Sequence, residues 1–184
     1  MIMKHFIFFS LLFLSTITNA QINLIKNGGF EREAANWRGG EDIATISPYD
    51  KKSGKSSALI NQYVGNDWKG IDQIILIAKG TYAVEFTVWI KTESIEEQKE
   101  AYKAGVMIAE FTDEAEKPIA SEPIVQIRGT TDWTSYKKIV KTPQGTKKMR
   151  IMLALAQTSG SIYFDDVSAI ALSEEEYIKL NPEK

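Results

Sequence analysis

Hydrophobic and polar positions alternate along most of the chain. In Thr81-Tyr-Ala-Val-Glu-Phe-Thr-Val-Trp-Ile-Lys91, the residues Tyr82, Val84, Phe86, Val88 and Ile90 share one face. Thr81, Ala83, Glu85, Thr87, Trp89 and Lys91 share the other. A period of two carried by β-branched and aromatic side chains predicts a half-buried strand. Lys148 to Leu155 repeats it, with Met149, Ile151, Leu153 and Leu155 on one side. Further strands are predicted over Asp42–Ile46, Ser57–Tyr63, Ile71–Ile77, Gly105–Thr112, Ile124–Arg128, Thr134–Lys141 and Ser161–Leu172. Turn residues separate them at Gly65-Asn-Asp67, Lys79-Gly80, Glu116-Lys-Pro118, Pro143-Gln-Gly145 and Ser159-Gly160. Many short strands at this spacing predict an all-β fold, a jelly-roll β-sandwich.

Two stretches carry helical character, Ser94–Ala101 and Ser173–Leu180. The second has Ser173 as a cap and acids in the first turn. Both also read as solvated polar surface, and that reading is preferred. No repeat, linker or low-complexity segment interrupts residues 21–172, so they are expected to form one domain, followed by an acidic tail over 173–184.

Residues 1–20 have a different pattern. Lys4 precedes the apolar run Phe6–Leu14, and small or polar residues lead to Ala20. This is the pattern of a cleaved secretory signal, with Gln21 as the mature start. The run is shorter than the roughly 20 residues of a spanning helix, so no membrane span is expected in the mature form. The protein is expected to be periplasmic or extracellular.

Composition narrows the chemistry. The chain has 184 residues, 22 basic and 24 acidic, with a formal charge of −2 and no basic block, so no nucleic-acid partner is expected. It has no cysteine, and its one histidine, His5, leaves with the leader. Ser-His-Asp and Cys-His catalysis, thiolate sites and histidine zinc sites are thereby excluded from the mature chain. Carboxylate chemistry, oxygen-ligated cations and binding without chemistry remain.

An ordered set of segments adds to this. The mature chain opens with Asn23-Leu-Ile-Lys-Asn-Gly-Gly-Phe-Glu31 and Trp37. Ser53-Gly-Lys-Ser-Ser-Ala-Leu-Ile60 and Trp68-Lys-Gly-Ile-Asp-Gln73 follow. Asp132-Trp-Thr-Ser-Tyr136 and Gly160-Ser-Ile-Tyr-Phe-Asp-Asp-Val167 come last. In this order the set resembles the galactose-binding-like jelly-roll carbohydrate-binding modules, nearest to families four, nine and twenty-two. The resemblance covers nearly the whole mature chain. It implies binding of a polysaccharide or oligosaccharide and a structural calcium. The cation would be held by Glu31, a backbone oxygen at Lys55, and Asp165. The same acids, read alone, also suit turn or edge hydrogen bonds.

A sugar ring needs an aromatic platform and a few polar groups. Trp89 stands on the polar face of its strand, with Glu85 beside it. If Met107, Ala109 and Phe111 point inward, Ile108 and Glu110 share an outer face, as do Arg150, Met152 and Ala154. Trp89, Glu85, Glu110 and Arg150 are expected to line one shallow cleft. Trp68 is a second platform, since the resemblance places a sugar-stacking tryptophan there, and Tyr63 and Gln73 lie near it in sequence. Trp133 and Tyr136 are expected to be structural. Trp89 reads equally as a core residue beneath the loop from Thr92 to Tyr102.

The leading expectation is a secreted non-catalytic carbohydrate-binding protein that recognises a plant- or microbe-type polysaccharide. One alternative is a small glycoside hydrolase using Glu85 and Glu110 as its carboxylate pair. Another is a cell-surface or periplasmic interaction module.

Overall fold

The computed structural model describes residues 22–65 and 67–182. The expected signal segment lies outside them. The elements run β1 (Glu31–Ala34), α1 (Gly40–Ile43), β2 (Thr45–Ser47), β3 (Ser57–Gln62), β4 (Trp68–Leu76) and β5 (Ala83–Ile95). They continue β6 (Gly105–Thr112), β7 (Pro118–Ile127), β8 (Gly129–Lys141), β9 (Lys148–Ala156), β10 (Gly160–Leu172) and α2 (Glu174–Leu180). A five-stranded sheet has the order β2-β3-β10-β5-β8, and a four-stranded sheet the order β4-β9-β6-β7. All pairings are antiparallel. The molecule is a jelly-roll sandwich.

The alternation in sequence becomes the inside and outside of the sandwich. Val84, Phe86, Val88 and Ile90 of β5 are fully buried, as are Met107, Ala109 and Phe111 of β6 and Met149, Ile151, Leu153 and Leu155 of β9. They meet Phe164 and Ile162 of β10 between the sheets. Burying each such side chain contributes about 1.5–3 kcal/mol before chain entropy is subtracted.

The Asn27-Gly-Gly-Phe30 segment closes one side of the sandwich. Asn27 sits at φ 54. Its side-chain amide donates to the Glu33 and Ala35 carbonyls, and its oxygen accepts from the Arg32 N–H. Phe30 stacks on Trp37 at 5.4 Å, and the Trp37 indole donates to the Asn27 carbonyl. Gly28 touches the β10 bulge between Asp165 and Ser168, where its carbonyl accepts from the Val167 N–H. A Cβ at Gly28 would lie 2.0 Å from the Val167 carbonyl oxygen. Gly28→Ala should therefore force the segment off the bulge and cost about 1–3 kcal/mol or more. A denaturant midpoint equal to that of the parent would refute this.

Three local expectations change. The start of the expected strand Asp42–Ile46 is the short helix α1, because Gly39 at φ 74 turns the chain and Glu41 and Asp42 occupy the first helical turn. Ser94 is not a helix start, since β5 continues through it to Ile95 beside β8. The segment after Ser173 is a helix and not an unstructured tail. Ser173 and Glu176 form a reciprocal capping box, and Tyr177 packs on Tyr82 at 5.2 Å. Among the described residues no helix is long and apolar enough to cross a membrane.

Candidate functional site

The register of β4, β9, β6 and β7 places the outward side chains in rows. Trp68 lies opposite Ala156, whose N–H donates to the Ala104 carbonyl, and Arg128 follows β7 at the same level. Gly70, Ala154, Val106 and Gln126 form the next row. Asp72, Met152 and Ile108 follow, and then Ile74, Arg150 and Glu110.

The middle of the first two rows is built of small residues, Gly70, Ala104, Ala154 and Ala156. Val106, Ala104, Ala154 and Ala156 have no exposed surface although they face outward, so neighbouring groups cover them as a small second core. Trp68 rises at one side and is 47% exposed. Its indole nitrogen lies 3.2 Å from the position a Cβ would take at Gly70, so glycine lets the ring lean over the sheet. An exposed indole at the side of a sheet face is a platform that accepts a flat ring.

The other end of this face is charged. Asp72 accepts from Arg38 Nε at 2.6 Å and from Arg150 Nη2 at 2.8 Å. The hydrogen bond to Asp72 raises the Arg150 pKa further, so its charge is permanent. Glu116 pairs with Lys148 at 2.8 Å, which lowers the carboxyl pKa. The Nε atoms of Arg128 and Arg150 are buried without a hydrogen-bond partner. Buried donors of this kind normally find an acceptor, and both stand on this one face.

Several expected residues lie elsewhere. Glu85 and Trp89 face outward from the five-stranded sheet, while Glu110 and Arg150 face outward from the four-stranded sheet. The expected common cleft is therefore divided between opposite outer faces. Packed sheets are about 10 Å apart, so the outward carboxylates of Glu85 and Glu110 are too distant to flank one glycosidic bond. Glu85 instead pairs with Lys137 at 2.8 Å. Trp89 is half-buried, with Lys52 Nζ 4.0 Å from its ring centre. The 48–56 loop provides that cover, not the loop after Thr92. Gln73 faces the core, where its amide donates to the Lys26 carbonyl and accepts from the Lys26 N–H. Tyr63 is exposed just after β3. Trp133 donates its indole N–H to Asp50 and meets Tyr163 edge-on at 6.3 Å.

Glu31, Lys55 and Asp165 do converge. Glu31 Oε1 accepts from the Lys55 N–H at 2.7 Å, so it is the amide of Lys55, not its carbonyl, that faces the acid. Asp165 is fully buried and accepts from the N–H groups of Lys52, Ser53 and Asp166. Burial raises its carboxyl pKa, and the three N–H donors offset only part of that rise.

Sequence reasoning missed Arg38, Asp72, Gly70 and Arg128. The small residues at Gly70, Ala154 and Ala156, outward on their strands, were the available signal.

Comparison with known proteins places this geometry. Residues 22–160 match a family described as carbohydrate binding domain. No curated protein matches the chain. Among solved structures, the enzymatically active domain of bacteriophage CBA120 tailspike protein 4 is 18% identical with a TM-score of 0.64. That match covers 82% of this chain but 22% of the phage chain. A CBM22-1 xylan-binding domain from Paenibacillus barcinonensis is 14% identical with a TM-score of 0.58, over 85% of this chain and 98% of that one. TmCBM61, solved with β-1,4-galactotriose, is 15% identical with a TM-score of 0.56, over 82% and 99%. These structures share the fold. With the family match spanning most of the chain, the protein belongs to the carbohydrate-binding domain family that unites module families 4 and 9.

Proposed function

We propose that this is a secreted, non-catalytic protein that binds a plant- or microbe-type polysaccharide across the outer face of the four-stranded sheet. One sugar ring stacks on the exposed face of Trp68. Asp72, Glu110, Arg128 and Arg150 supply polar contacts to hydroxyl groups. The observation that carries this reading is the exposed Trp68 indole on the same sheet face as the charged groups of Asp72, Arg150 and Glu110. Structures of like fold bind xylan and β-1,4-galactotriose, which supports a polysaccharide ligand. Affinity electrophoresis against xylan, β-glucans, mannans and pectins tests it. Retardation in at least one gel is expected, and migration unchanged in all of them would overturn the proposal.

A structural calcium is part of the same reading. Glu31, Asp165 and Asp166 all approach Gly29, and oxygen donors of this type suit a hard cation. Among the described residues no three such side chains meet at one point, and the 52–56 turn presents N–H groups to these acids, so a cation would be held only if the turn rotated its carbonyls inward. A cation there would compensate the buried Asp165 charge. Chelation should lower the melting temperature, and readdition of calcium should restore it. An unchanged melting temperature in chelator would remove calcium from the proposal.

A further inference from the structure

The two sheets have four edges, and three are protected. β7 carries Pro118 and Pro123 and two register shifts. β8 carries Lys137, Lys138 and Lys141 and two register shifts against β5. β2 has three residues. Prolines, lysines, bulges and shortness all prevent strand addition. The β4 edge carries no proline, lysine or register shift over Ile74-Ile-Leu76, and Leu76 is 74% exposed.

The hydrogen-bond pattern shows which groups are free. Ile77 donates to the Lys147 carbonyl, and Arg38 and Asp72 exchange both backbone bonds on the outer side. Antiparallel pairs alternate, so Ile75 and Gln73 bond to β9 while Ile74 and Leu76 point their N–H and C=O groups away from it. Among the described residues no hydrogen bond reaches these four groups. They open into a groove of about 520 Å³ lined by Leu24, Lys26, Asn36, Arg38, Ile74 and Leu76. Its two charged lining residues are both cationic. Lys26 has no ion-pair partner among the described residues, and Arg38 remains half-exposed beside Asp72.

We propose that the β4 edge docks an extended, acidic and apolar peptide segment of a partner protein by strand addition. Main-chain bonds to Ile74 and Leu76 supply affinity. Alternate apolar side chains pack on Leu24 and Leu76, and alternate carboxylates face Lys26 and Arg38. A second copy of this chain is disfavoured, because a two-fold pairing of β4 with β4 brings Lys26 and Arg38 toward their own copies. The edge adjoins the polysaccharide face through Arg38 and Ile74, but Lys26 and Leu76 lie outside the sugar-contacting set and the docking does not depend on sugar binding.

The test uses the full mature chain and two labelled eight-residue peptides with blocked ends, one alternating valine with glutamate and the other valine with lysine. Fluorescence anisotropy should show the acidic peptide binding at least about tenfold more tightly than the basic one. Amide hydrogen exchange at Ile74 and Leu76 should slow when it binds. Leu76→Pro removes an edge donor that β9 does not use, and should weaken binding by about tenfold or more. Lys26→Glu should reverse the preference between peptides. Polysaccharide retardation should be unchanged in both variants, which separates this site from the sugar face and shows that the variants fold. Equal binding of the two peptides, no binding of either, or binding unaffected by Leu76→Pro would overturn the proposal. So would a dimer in sedimentation that Leu76→Pro dissolves, since a second copy would then hold the edge.

Discussion

Trp68→Ala should abolish retardation in whichever polysaccharide gel retards the parent protein, while the melting temperature stays within about 2 °C of the parent value. The ring is half exposed and leans over Gly70, so its removal leaves no core cavity. A buried stacking residue at the centre of a binding face is commonly worth about 2 kcal/mol or more, roughly thirtyfold in affinity. Binding of modest strength would then fall below detection. Trp68→Phe keeps a smaller apolar face and should restore part of the retardation. Trp89→Ala is the informative contrast. That ring lies on the opposite sheet beneath Lys52, so its loss should reduce stability and leave sugar binding intact. Full retardation by Trp68→Ala, or loss of binding in Trp89→Ala alone, would move the site to the other face.

Asp165→Asn should destabilise the fold by about 2–4 kcal/mol, since one amide cannot replace a carboxylate that accepts three backbone N–H groups. For a domain of this size that lowers the melting temperature by about 5–15 °C. Lys52 is held by this carboxylate and also covers Trp89, so indole fluorescence should report the loosened turn. The pH dependence has a definite sign. In chelator, the folded Asp165 carboxyl pKa lies above its ordinary 3.8, because burial disfavours the charged form. Its contribution is therefore fully present below 3.8 and declines as pH rises through the folded value. The asparagine variant should lack that decline. A difference between parent and variant that grows with rising pH would contradict the burial argument, and an unchanged midpoint would deny Asp165 its anchoring role.

The strands were legible because their cause is local. A strand with one buried face must alternate, and Val84-Glu-Phe-Thr-Val-Trp-Ile90 does so visibly. Burial of Met107, Ala109 and Phe111 followed from the same rule, as did the outward direction of Glu110 and Arg150. The helix after Ser173 was less legible. Its capping box is a local signal, but it docks through Tyr177 against Tyr82, nearly a hundred positions earlier. Likewise, Gln73 looked like a ligand-facing amide only until Lys26 was seen to occupy both of its polar groups.

The candidate site divides along the same line. Pattern alone identified which side chains leave each strand toward solvent, because the pleat sends successive residues to opposite faces. Pattern alone also made a sandwich of short strands the expected architecture, and it removed histidine and cysteine chemistry outright. It could not say which sheet each strand joins. The chain crosses between sheets several times, and pairing is decided by contacts between residues far apart in sequence. Only the tertiary structure therefore separated Trp89 and Glu85 from Trp68, Glu110 and Arg150. It also brought Arg38 to Asp72, and laid Lys52 over one indole while leaving the other open.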